Sequence, residues 1–195
     1  MKHGFPLFLV LLASPALADE TRQLGAHEHG VGQLNMAMEG TTLALELHAP
    51  GADIVGFEYA AKTAEERAAI DAAVATLARP LDLFVVPATA ECTVVEASAK
   101  LQGADTHDDH DHGHSHDDHA HAEHDHDAAE AEHAEFHAAY VLNCANPDAL
   151  SEIGFAYFET FENARKLEVQ IVSETGAQAA EVTRSAPELN LRGMF

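Results

Sequence analysis

Residues 31–50 read VGQLNMAMEGTTLALELHAP, and the alternation in this stretch leaves little freedom in how it folds. A turn at Gly40-Thr41 sets Glu39 opposite Thr42, Met38 opposite Leu43, Met36 opposite Leu45 and Leu34 opposite Leu47. The six apolar members of those pairs fall on one face, because side chains alternate along a strand with a period of two. Gln33, Asn35, Glu46 and His48 occupy the other face. A hairpin with one oily and one polar side needs a covering layer, so the rest of the chain has to supply one.

Thr63-Ala64-Glu65-Glu66 has the form of a capping box, in which a threonine oxygen and a glutamate satisfy early helix N–H groups. Behind it Ile70, Val74 and Leu77 keep helical spacing until Pro80 stops the run. This helix is expected to pack on the sheet, with Glu65, Glu66, Arg67 and Asp71 on its solvated side. KLEVQIVSE predicts a strand with Leu167, Val169 and Ile171 inward, and Gly176 allows a turn into a short strand near Glu181 to Arg184. Residues 147–161 support two readings. Asn146-Pro147 and the spacing of Leu150, Ile153, Tyr157 and Phe161 suit a helix, whereas Gly154 and the alternation Ile153, Phe155, Tyr157 suit a strand. The expected fold class is α+β: a single domain built on an antiparallel sheet with one or two helices.

ECTVVEASAKL and EFHAAYVLNCA read as a further pair of strands. If Leu101 faces Glu135, the same antiparallel register brings Cys92 opposite Cys144, within reach of a disulfide. The rival role for the two cysteines is as thiolate metal ligands, which oxidation opposes outside the cytosol. An exported location is expected because residues 1–18, MKHGFPLFLVLLASPALA, have a basic start, an apolar run and a small-residue end, the layout of a secretory signal peptide. That run is too short to span a bilayer. Residues 19–195 would then form one domain, placed most simply in the periplasm. The chain has 33 acidic residues against 10 Lys and Arg and a formal net charge of −23. Such a surface repels nucleic acid and anionic membranes and attracts cations.

Between the two cysteine-bearing strands lies THDDHDHGHSHDDHAHAEHDHDAAEAEHAEFH, which holds eleven of the fifteen histidines. His107, His110, His112, His114, His116, His119, His121, His124 and His126 alternate mainly with carboxylates. Residues 104–130 have too little apolar surface to offset ordering entropy, so a disordered loop is expected between two anchored ends. Histidine-rich tracts of this kind bind metal by composition. Imidazole with carboxylate suits zinc, and also copper and nickel. Several overlapping ligand sets imply several weak, exchanging sites.

A folded site is expected near AHEHGVGQ, where His27 and His29 are two apart and Gly30 permits a tight turn. His48 and Glu46, on the polar hairpin face, can join it if the chain bends, since His48 opposes Gln33. Glu58 in GFEY is a further candidate ligand. His133 and His137, at the exit of the tract, can tether loop-bound metal to the domain. There is no HExxH motif, nucleophile elbow or phosphate-binding glycine loop, so enzymatic activity is not expected.

AHEHGVGQLNMAMEG, LELHAPGADIVGFE, the cysteines on either side of the His/Asp loop and KLEVQIV together resemble the ZrgA-like family of zinc-regulated periplasmic zinc-uptake proteins. The resemblance spans nearly all of the chain after the signal peptide. It implies zinc as the bound metal, His27, His29 and the tract histidines as functional residues, and a zinc-binding receptor of a high-affinity zinc ABC importer as partner. On this reading the protein is a monomer that captures and buffers zinc. The alternative is a sequestering protein that protects against excess copper, zinc or nickel.

Overall fold

The computed structural model describes residues 28–103 and 133–194. The expected leader at 1–18, His27 and the tract histidines His107 to His126 lie outside the described residues. Strands β1 (Val31–Glu39) and β2 (Thr42–Pro50) form the expected hairpin in the expected register, with Leu34 on Leu47 and Gln33 on His48. Its six apolar residues are buried.

A short helix, α1 (Gly51–Ile54), follows at once, and α2 (Ala64–Leu77) starts at the capping box. Thr63 Oγ1 accepts from the Glu66 N–H at 3.1 Å, and Glu66 Oε2 accepts from the Thr63 N–H at 2.9 Å. Pro80 opens another single-turn helix, α3 (Pro80–Leu83), which runs into β3 (Phe84–Val85). Then come β4 (Cys92–Gln102), against which α2 packs, and β5 (Glu135–Cys144). The tract therefore enters from β4 and leaves into β5, as the sequence requires.

Residues 147–161, which suited either a helix or a strand, contain both. A 3₁₀ turn at Pro147–Ala149 leads to β6 (Glu152–Phe155) and α4 (Tyr157–Thr160). The chain ends with β7 (Lys166–Ser173), β8 (Gly176–Thr183) and β9 (Glu188–Asn190). A six-stranded sheet has the order β4-β5-β2-β1-β7-β8, and a small sheet has the order β3-β6-β9. The α+β class holds, with two details the sequence did not reveal. One is the small sheet as a whole: β6 shows in the alternation of Ile153 and Phe155, but its partners β3 and β9 are too short to show a period of two. The other is that β1 and β7 run parallel, while the remaining neighbours of the large sheet are antiparallel. A parallel pair needs a long crossover, and the chain from β1 to β7 supplies one, passing through β2 to β6 and α1 to α4.

A second layer closes the core. Phe84 of β3 packs its ring 6.0 Å from Tyr140 of β5 and 5.8 Å from Phe155 of β6, between centroids. Tyr157, Phe158 and Phe161 extend the same buried cluster. Aromatic side chains of this size dominate the burial that holds two layers together.

Cys92 faces Cys144 and the two are joined in a disulfide with Cα atoms 3.8 Å apart. This rules out the thiolate alternative, because no free cysteine remains. The register near the tract differs by one from the expected one: Leu101 faces Phe136, and Glu135 faces Gln102. A bulge between Val94 and Glu96 takes up the extra residue. The slip has a physical cause. Directly paired residues share a face, so the unbulged register would set Leu101 beside Glu135, whereas the bulge sets it beside buried Phe136 and leaves Lys100 opposite His137.

Candidate metal centre

The polar side of the large sheet follows from the same alternation that builds the core. In β2, Leu47 and Ala49 turn inward and His48 outward; in β5, Phe136 and Ala138 turn inward and His137 outward. His48 and His137 are direct cross-strand partners, with ring centroids 4.2 Å apart. Glu135, two residues before His137, shares its face and is 8% exposed. His137 Nε2 lies 2.5 Å from Glu135 Oε2, and His48 Nδ1 lies 3.6 Å from the same oxygen. Glu46 approaches the other ring nitrogen of His48 at 3.3 Å.

One ligand atom from each of His48, Glu135 and His137 can be chosen so that all lie within 4.8 Å of one another. Tetrahedral zinc with bonds of about 2.0–2.2 Å places its ligand atoms roughly 3.5 Å apart, so small rotations would close this set on an ion. Two imidazoles and a carboxylate are a zinc donor set with a fourth position left open. The histidine side chains are 18% and 19% exposed, which limits their rotamer freedom before any ion arrives.

The two rings differ in their readiness to protonate. Pairing with Glu135 raises the pKa of His48 above the usual imidazole value, against the opposing effect of burial, and Glu46 adds to the rise. Burial lowers that of His137, and the neighbouring His48 lowers it further. Zinc needs both rings neutral. The sign follows: as pH falls, His48 takes up a proton first, and each zinc ion that binds must then displace it. Affinity at this cluster is therefore predicted to fall about tenfold per pH unit, with the decline beginning above the ordinary value of about 6.5. Zinc titrations from about pH 8 to about pH 5, in buffers of different ionisation enthalpy, would show about one proton released per ion.

A second group lies where β2 gives way to α1. Gly51 donates its N–H to the Ala134 carbonyl at 2.7 Å, and Ala134 donates to the Glu58 carbonyl at 3.0 Å. Both ends of the segment 51–58 are thus bonded to one residue, Ala134, immediately before β5. Gly51 is required there, since a Cβ would lie 2.5 Å from the Phe57 carbonyl oxygen and 2.9 Å from that of Ala134. This closure sets Glu58 beside His133, with Oε2 at 2.9 Å from His133 Nδ1. His29 Nε2 reaches the same oxygen at 3.3 Å. Its position is set by Asp53 of α1, whose Oδ1 accepts from the Gly30 N–H at 2.7 Å while Gly30 holds φ +91°.

The candidate residues therefore sort differently from the sequence expectation. His29 and His48 do not meet: His29 joins Glu58 and His133, while His48 joins Glu135, His137 and Glu46. The cause is the predicted pairing of His48 with Gln33, which holds His48 on the straight part of the sheet. Glu135 was missed as a ligand, although its position two residues from His137 on a strand was the available signal.

A mixed sheet with imidazole–carboxylate clusters beside the exit of a His/Asp insertion defines a metal-binding protein. Residues 26–191 match the model of the ZrgA family zinc uptake protein, and the chain belongs to that family. A search of curated proteins gave no match. The family gives the protein a role in zinc uptake, and no described helix is long and apolar enough to cross a membrane.

Proposed function

We propose that the protein works in the periplasm, exported by the leader at 1–18, where it captures and buffers zinc and passes it to the receptor of a zinc ABC importer. The convergence of His48, Glu135 and His137 carries this reading, because it supplies a preorganised donor set on the fold itself. The tract histidines supply many weaker sites at high local density, and the acidic surface draws the dication in. In this division of labour the tract gathers ions and the folded cluster retains them. Zinc is cargo here, held and released without turnover.

The test is growth of the source organism with its own copy deleted, in medium depleted of zinc by a chelator. The wild-type chain restores growth, and a chain carrying His48→Ala and His137→Ala restores it less well. Protection against excess metal would give the opposite pattern: induction by surplus zinc or copper, and a growth defect of the deletion strain only under that surplus.

A further inference from the structure

We propose that His29, Glu58 and His133 form a second zinc site, separate from the His48 cluster, at the point where the tract rejoins the fold. The proposal rests on zinc as the cargo of this protein and adds a place for it.

The anchor is Glu58. Its side chain is 10% exposed, yet the segment around it makes its bonds through the backbone: the Glu58 carbonyl accepts from Ala134, while the carboxylate is left for other uses. Oε2 faces both imidazoles, and Oε1 is buried with no hydrogen-bond partner among the described residues. A buried carboxylate oxygen without a donor is costly, and a cation held between the carboxylate and the two rings would relieve that cost. The oxygen-to-nitrogen separations of 2.9 Å and 3.3 Å are near the spacing of ligand atoms around zinc, about 3.5 Å. Unlike the His48 cluster, however, the three residues do not bring one ligand atom each within 4.8 Å of all the others, so the exposed rings must swing together to close on an ion. Nearby Asp53, itself buried, adds a further carboxylate whose Oδ2 also has no hydrogen-bond partner among the described residues.

The site differs in kind from the His48 cluster. His29 and His133 are 69% and 63% exposed, so two free side chains close on one fixed anchor. Ligands that swing freely hold an ion less firmly and release it faster than ligands locked by packing. His133 stands two residues before Glu135, a step of roughly 7 Å along an extended chain. An ion leaving the tract therefore meets this site on the way to the His48 cluster.

The experiment measures zinc bound by the full mature chain at a series of chelator-buffered free zinc levels. Wild type is compared with Glu58→Gln, with His48→Ala/His137→Ala, and with all three changes combined. Every variant keeps the tract, so differences between them belong to the folded residues. Glu58→Gln is predicted to lose about one equivalent, the histidine pair another, and the combination both. If Glu58→Gln binds as much zinc as wild type at every level, the second site does not exist, whatever the histidine pair does. If the histidine pair changes nothing while Glu58→Gln loses an equivalent, this site stands and the His48 cluster falls. Circular dichroism checks folding. If Glu58→Gln unfolds, the exposed His29→Ala and His133→Ala carry the same comparison, and no loss in either would overturn the proposal.

Discussion

Replacing His48 and His137 together by alanine lowers the affinity of the tightest zinc site by at least about a hundredfold, while the fold survives. The first half follows from ligand count. With both imidazoles gone, Glu135 is left to hold an ion with Glu46 and water, and oxygen donors alone suit harder cations than zinc. The second half follows from position. Both rings lie on the polar face and are part-exposed, so their removal opens no cavity in the core. Thermal unfolding without metal would therefore change little between the two proteins, whereas the stabilisation conferred by added zinc, which scales with affinity, would shrink. Competition with a chromogenic chelator measures the affinity directly. An unchanged tight site in the double variant would show that the retaining residues lie elsewhere.

The other large effect concerns stability. Changing Cys92 and Cys144 to serine is predicted to cost roughly 2–5 kcal/mol of unfolding free energy. The bridge spans 52 positions, and the chain-entropy argument gives about 4 kcal/mol for a loop of that size. The tract lies inside this loop, so the disulfide closes the β4–β5 hairpin at the end opposite the insertion. Among the described residues β4 is an edge strand with only β5 beside it, and its ladder contains a bulge. Cross-linking matters most at such an edge, where one neighbour alone maintains the register. Denaturant titration of the oxidised and serine forms, without metal, measures the difference. A loss below about 1 kcal/mol, well under the range for native bridges, would mean that the ladder and the packing of α2 hold β4 without covalent help.

What the sequence disclosed follows the physics of each element. The β1–β2 hairpin was readable to the residue because a period of two, a glycine turn and six apolar partners all agree on one register. The helix start at Thr63 was equally clear, since capping is a local reaction between side chain and backbone. The β4–β5 pairing was right at the cysteines and off by one at the tract, because a bulge obeys no period. The polarity of Leu101 and Lys100 carried that information, as only the shifted register gives each a partner of its own kind. Of the small sheet only β6 was readable, as one of two readings, from the alternation of Ile153 and Phe155; β3 and β9, with two and three residues, show too few alternations.

The site was readable as residue types and unreadable as partners. His29, His48, Glu58, His133 and His137 were all visible candidates, but what separates them into two groups is the loop from Gly51 to Glu58. Its closure on Ala134 is a tertiary hydrogen-bond pattern with no local signature. Glu135 escaped notice because a glutamate beside a histidine-rich tract looks like one more solvated charge. Its burial on a strand shared with His137 is what makes it a ligand candidate.

Calorimetric zinc titration of the mature chain beside a variant lacking residues 104–130, with copper and nickel as competitors, decides whether the fold itself retains zinc. If it does, the deletion removes the numerous weak sites and leaves tight zinc binding that His48→Ala/His137→Ala then weakens. If all zinc binding disappears with the tract, the imidazole–carboxylate clusters of the fold hold no metal, and the domain is a scaffold for the tract alone.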